Sequence, residues 1–264
     1  MSHRVHMPTL RVLNIMELLA EHPDGLTLTE ISNSINSPKS TVLPIIRTLR
    51  DEKYVFYNSK SSLYRVGVSA FSTGSAYIRN MSSLEFVRTE MKYVARQCEE
   101  ICQLGILNKN MALFIAEESN TAISHVTRVG KHLPLYCSAI GKSLICKMGI
   151  DELIKLHPNG FEAYTTNTVS SFEMLIKELE NICSDDYVSY DRGEMSPDLS
   201  CISVPLFKHE DIIAAVSVSI SAFQVTDEKL NHIRKLLLDM RLKVKHYLEL
   251  NNVDSESLII SGGI

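Results

Sequence analysis

The sequence predicts an α+β chain in two parts: an N-terminal winged helix-turn-helix, then a larger domain with an antiparallel sheet and flanking helices. Three observations lead there. Short amphipathic helices followed by a hairpin fill residues 1–67, and a small-residue stretch at 68–80 breaks the composition. Beyond it, β-like runs alternate with clusters of helical periodicity.

The first helix is read from Val12, Ile15, Met16 and Leu19, spaced i, i+3, i+4, i+7, and it stops at the turn cluster His22-Pro-Asp-Gly25. Thr27-Leu-Thr-Glu30 is a capping box opening a short second helix on Leu28, Ile31 and Ile35. Ser37-Pro38 reads as N-cap and first position of a third helix, with Val42, Ile45, Ile46 and Leu49 inward. Pro44 falls inside that helix, where it removes a bond to the Ser40 carbonyl and should cost about 3 kcal/mol or kink the helix. Tyr54–Tyr57 and Leu63–Val66 then form a hairpin around a polar tip, which serves as a wing.

Charge is divided along the chain. Residues 1–80 carry nine Lys/Arg against six Asp/Glu, whereas residues 81–264 carry eighteen against twenty-five, for an overall net charge of −4. Between positions 37 and 65 the count is six basic to two acidic. A positive head on a negative body is expected if only the head meets duplex DNA. Lys39, Ser40, Thr41 and Arg47 on the third helix are candidates for base edges; Arg50, and Lys60 and Arg65 of the wing, are candidates for DNA contact near the phosphates.

The stretch 68–80 suits a linker helix, and a strong amphipathic helix follows over Ser82–Glu100. Ile101–Leu107 and Met111–Ala116 read as a hairpin, and Ile123–Val129 as a third strand. Helices are expected at Ser138–Met148, Asp151–His157 and Ser171–Ser184. Strands follow at Tyr187–Tyr190, Cys201–Phe207 and Ile212–Ile220, and Thr226 opens the last helix. The larger domain spans 81–250 and leaves a tail at 251–264. Asp191, Cys201, Ser217 and Ser219 bring a carboxylate, a thiol and two hydroxyls to one region, the makings of a small-ligand pocket.

The composition, 45% hydrophobic and 22% charged, is ordinary for a globular chain. The longest apolar runs fall far short of the ~20 residues that span a bilayer. The first residues lack a secretory core, so a cytoplasmic protein is expected. Of six cysteines, only Cys98 and Cys102 lie close, at helical spacing, and no paired zinc-ligand pattern occurs; neither metal nor cofactor is expected. Cys201 with Asp191 and His125 is the one arrangement open to a thiol-nucleophile reading, but Cys201 has no basic neighbour in sequence nearer than Lys208, and no enzyme is expected.

Ser37-Pro-Lys-Ser-Thr-Val42, Tyr64-Arg-Val-Gly67, Leu133-Pro-Leu-Tyr-Cys-Ser-Ala-Ile-Gly-Lys142 and Cys201-Ile-Ser-Val-Pro-Leu-Phe207 resemble the IclR family of bacterial transcriptional regulators over residues 5–250. The likeness is strongest to its sugar-acid branch, which includes the regulator of 2-keto-3-deoxygluconate catabolism. The resemblance implies a regulator that binds double-stranded operator DNA as a homodimer formed through the winged domains, often paired into tetramers by the C-terminal domains. A repressor is expected, although the sequence leaves the sign of regulation open. It implies a GAF-like effector domain for a carboxylate or sugar acid, with pocket residues His125, Leu133, Ala139, Ile140, Asp191, Cys201, Ser217 and Ser219. The ligand carboxylate is expected at the N-terminus of the helix beginning near Ser138. Two positions depart from the family pattern: Pro44, where a basic or polar residue is usual, and Asp198-Leu199, where a glycine is usual.

Overall fold

The computed structural model describes residues 5–79, 83–120 and 129–251. The chain divides into two compact units, 1–80 and 81–264.

Three helices, α1 (Met7–Glu21), α2 (Leu28–Ser34) and α3 (Lys39–Asp51), precede the hairpin β1 (Val55–Asn58) and β2 (Leu63–Val66), and α4 (Val68–Arg79) follows. Ile15 and Leu19 of α1, Ile31 of α2, and Val42, Ile46 and Leu49 of α3 close over Val55 to make one small core. The Thr27 box forms in full: Glu30 N donates to Thr27 Oγ1 at 3.3 Å and Thr27 N to Glu30 Oε2 at 2.7 Å. Leu26 pairs with Tyr64 through two backbone bonds and fastens the wing to the helices. Gly25 makes this possible. Its φ is +89°, and a Cβ there would stand 2.8 Å from both the Tyr64 carbonyl and Arg65 Cγ.

Ser37 does not cap α3. The helix begins one residue later, with Pro38 in the N-cap position, because Ser37 faces back into the preceding turn. Its backbone carbonyl accepts from Ser32 Oγ at 2.6 Å, and its Oγ donates to the Ile35 carbonyl and accepts from Arg11 Nε. The Pro38 carbonyl receives the first amides of α3, those of Thr41 and Val42.

The second unit is a six-stranded sheet of order β5-β4-β3-β8-β7-β6, every pair antiparallel. Its strands are β3 (Ile101–Asn108), β4 (Met111–Glu118), β5 (His132–Pro134), β6 (Ser189–Arg192), β7 (Leu199–Lys208) and β8 (Asp211–Ser221). Val216, Val218 and Ile220 of β8 are fully buried on the face covered by α5 (Leu84–Cys98) and the long C-terminal α9 (Asp227–Leu250). Ile233, Leu237, Met240, Val244 and Leu248 line the inner stripe of α9. Ala215, Ser217 and Ser219 alternate to the opposite face, under α6 (Ala139–Ile145), with α7 (Ile150–Leu156) and α8 (Phe172–Ser184) packed beyond it.

Several boundaries differ from those read in the sequence. The helix expected over Ser138–Met148 is the two-turn α6, and the strand expected at Tyr187 begins two residues later. Cys98 ends α5 whereas Cys102 lies in β3, so the two do not share a helix. Residues 121–128, with most of the expected third strand, lie outside the described residues; β5 instead pairs with β4.

Candidate functional site

On the N-terminal unit, α3 turns Lys39, Ser40, Pro44, Arg47, Thr48 and Arg50 outward, with Thr41 half-buried beside them. Pro44 is exposed and the helix runs continuously through it to Asp51. Arg50 Nη2 binds Asp51 Oδ1 at 2.7 Å, and this neighbour raises the guanidinium pKa. Asn58 Oδ1 accepts from Lys60 N and Ser61 N, folding the wing tip and leaving the Lys60 side chain exposed. Arg65 donates Nε to the Asp24 carbonyl at 3.0 Å, so part of its fork braces the wing. The result is a short exposed helix edged by cations beside a basic hairpin tip, a shape that fits a major groove and its flanking phosphates.

On the second unit the strand register assembles a polar patch. One row across the sheet runs Asp191, Cys201, Ser219; the next runs Ser189, Ser203, Ser217, Gln103. Ser219 Oγ donates to Gln103 Oε1 at 3.0 Å and lies 3.4 Å from Cys201 Sγ, while Gln103 Nε2 donates to Glu117 Oε2. Asp191, Cys201, Ser219, Ser217 and Gln103 of this patch line a cavity of about 270 Å³. Leu133, Ala139, Ile140, Asp191, Cys201, Ser217 and Ser219 all line it. His125 lies outside the described residues.

The walls include residues that sequence reasoning did not single out. Gln103 and Phe114 come from β3 and β4, exposed Lys131 precedes β5 and exposed His132 is its first residue, and Met195 comes from the loop after β6. A lone glutamine in an apolar strand and a Lys-His pair before Leu133-Pro134 were the available signals.

Asp191 lines the cavity and is also engaged by its own loop. Its Oδ1 accepts the Glu194 amide at 2.7 Å, and the amides of Gly193 and Met195 also lower its pKa. Burial outweighs them and leaves the pKa raised. Asp191 therefore holds the 192–195 loop in place over the cavity.

On α6, Lys142 is wholly buried; its Nζ lies 2.5 Å from Glu178 Oε1 and 2.6 Å from Glu194 Oε1. Burial pushes the Glu194 carboxyl up to about 7, against the opposing pull of Lys142. The cysteines are all free thiols. Burial raises Cys98 and Cys102, and pushes Cys137 and Cys146 up to about 12. Among the described residues no group of three or more His, Cys, Asp or Glu is placed to hold a metal ion. No described helix is long and apolar enough to cross a membrane.

A helix-turn-helix with a basic wing, joined to a separate domain with a small cavity, defines a ligand-responsive transcriptional regulator. The comparisons with known proteins give the family. The model for the bacterial transcriptional regulator IclR C-terminal domain matches residues 75–246, and that for the IclR helix-turn-helix domain matches residues 9–59. The chain belongs to the IclR family of DNA-binding regulators with effector-binding C-terminal domains. It is 28% identical to the HTH-type transcriptional regulator XynR of Escherichia coli over 90% of this chain and 95% of that one. With KdgR of the same organism it shares 27% identity over 86% and 87%. Among solved structures, an IclR regulator from Alicyclobacillus acidocaldarius superposes with a TM-score of 0.82 at 21% identity, covering 92% of this chain and 99% of that one. An IclR homologue from Microbacterium hydrocarbonoxydans, complexed with 4-hydroxybenzoate, gives 0.73 at 20% identity over 90% and 99%. These relatives are regulators of transcription, not enzymes.

Proposed function

We propose that this protein is a cytoplasmic repressor whose hold on operator DNA is released by a small organic acid or sugar acid bound in the β-sheet cavity. The observation that carries the reading is the convergence on one small cavity of Leu133, Ala139, Ile140, Asp191, Cys201, Ser217 and Ser219, with Lys131 and His132 in its wall. A cation at the mouth suits a carboxylate, while Gln103, Ser217 and Ser219 offer partners for hydroxyl groups. The helix dipole is the weaker attraction, since α6 has only seven residues. The 4-hydroxybenzoate complex of a distant relative supports a carboxylate ligand.

On DNA, Lys39, Ser40, Thr41 and Arg47 are assigned to the major groove, and Arg50, Lys60 and Arg65 to the phosphates. Two copies bind half-sites about one turn, ~34 Å, apart. Val68 and Phe71, one turn apart on α4 and 67% and 76% exposed, support dimerisation through the N-terminal unit. Pairing of dimers through the effector domains gives a tetramer. Ligand binding shifts the effector domain between two conformations, and α4, covalently between the domains, passes the change on; a coupling of about 1–3 kcal/mol suffices.

The test is a titration of the full-length protein with candidate acids, read by thermal shift and by affinity for a selected operator. A saturating sugar acid should stabilise the protein by about 2.7 kcal/mol at a hundredfold excess over Kd and weaken operator binding. No response to any carboxylate, with stabilisation by a neutral aromatic, refutes the acid. Tighter DNA binding with ligand refutes release.

A further inference from the structure

We propose that Tyr57 and Tyr64 of the wing form a phenol pair that donates hydrogen bonds to the DNA phosphate backbone where it passes between the wing and α3.

The placement follows from strand register. Tyr57 and Tyr64 are cross-strand partners in the hairpin, so their side chains share a face, and their ring centroids stand 4.6 Å apart. Val55, on the same face, is buried in the small core with Val42, Ile46 and Leu49 of α3. Phe56 and Arg65 alternate to the other side. The pair therefore looks toward the third helix. Its charges meet there: Tyr64 lies within electrostatic range of both Arg47 and Arg50, and Tyr57 within range of Arg50. Tyr64 is also firmly held. Its amide donates to the Leu26 carbonyl at 2.8 Å and its carbonyl accepts from Leu26 N at 3.0 Å, while its ring packs against the core.

A duplex that takes α3 in its major groove and the wing on its flanking phosphates runs its backbone between the two. Some of the cations there are partly committed. Arg50 gives Nε and Nη2 to Asp51 Oδ1, and Arg65 gives Nε to the Asp24 carbonyl. The phenols are not: both are half-buried, and neither hydroxyl has a hydrogen-bond partner among the described residues. Burial raises the Tyr64 pKa above its ordinary 10, so the hydroxyl keeps its proton at neutral pH and is a donor for an anionic oxygen. A ring already fixed by its core contacts loses little freedom on binding.

A phenol differs from a cation in one measurable respect. It adds affinity without displacing a counterion, so its loss weakens binding to every sequence and leaves the salt dependence as it was.

The test compares the full-length parent with Tyr57→Phe and Tyr64→Phe, which keep both rings. Each is first checked for an unchanged thermal midpoint. Affinity is measured against an operator duplex selected from random sequences and an unrelated duplex of equal length, over a range of salt. Each variant should bind both duplexes about tenfold or more weakly, the loss expected for one hydrogen bond to a charged acceptor, with the parent's salt slope. Unchanged affinity in either folded variant overturns the pair. So does a loss confined to the operator, which would place the hydroxyl on a base, or a shallower slope. If one variant fails to fold, the other decides. The inference rests on the winged unit reading DNA: a parent that binds neither duplex ends both, whereas a parent that binds while the variants match it ends this one alone.

Discussion

Lys142 Nζ sits 2.6 Å from Glu194 Oε1 at a place where the lysine side chain has no exposure to water. The contact joins α6, which supplies Ala139 and Ile140 to the 270 Å³ cavity, to the 192–195 loop beside it. Removing one partner of a buried pair leaves the other charge uncompensated.

Lys142→Met should therefore destabilise the effector domain by about 3–5 kcal/mol. Urea unfolding followed by tryptophan-free probes such as circular dichroism measures this. A midpoint unchanged from the parent protein would contradict the pairing.

Glu194 sets a pH dependence. Burial holds its folded-state pKa at about 7, above the ordinary 4.5, with Lys142, Glu178 and Asp191 the charged groups facing it. Between those values the native state keeps a proton that the unfolded chain has lost. Its contribution thus favours the fold at the acid end and declines as pH rises from 4.5 through 7. Glu194→Gln should flatten that decline. Parallel slopes for parent and variant between about pH 5 and pH 8 would rule it out.

Pro44 and Arg47 separate stability from recognition on α3. Pro44 forfeits the bond to the Ser40 carbonyl, and the residue is exposed. Pro44→Ala should stabilise the N-terminal unit, with about 3 kcal/mol as the upper bound. Arg47→Ala should leave stability within about 0.5 kcal/mol, but cost about 1–3 kcal/mol of operator affinity and relax sequence preference. If the arginine meets only phosphate, affinity falls equally on all sequences and the salt slope drops by about one.

Gly141→Ala tests how closely α6 approaches the chain before it. A Cβ there would lie 2.5 Å from Leu135 Cα and its carbonyl oxygen, backbone atoms that cannot swing aside. A loss of at least about 1–3 kcal/mol is expected, with a weakened effector response. A fully stable, responsive variant would show that α6 can slide.

Much of this was legible in the sequence because local signals agreed. The i, i+3, i+4, i+7 stripes placed Ile15, Leu19, Val42, Ile46 and Leu49 in one core, and Thr27 and Glu30 announced their own cap. Alternation along β8 put Ser217 and Ser219 on one face. What was not legible depended on partners distant in the chain. Nothing near Asp191 says that its carboxylate will be engaged by its own loop. Lys142 was read only as part of a motif, since no local pattern reveals Glu178 and Glu194 beside it, thirty-six and fifty-two residues away. Ser37 had the right chemistry for a cap but was claimed by Ser32 and Arg11.

The buried thiols carry a consequence for redox behaviour. With Cys137 and Cys146 pushed up to about 12, the thiolate that attacks peroxides, disulfides and alkylating agents is nearly absent at neutral pH. These two sulfurs are packing atoms first, and alkylating agents at neutral pH should leave them unmarked.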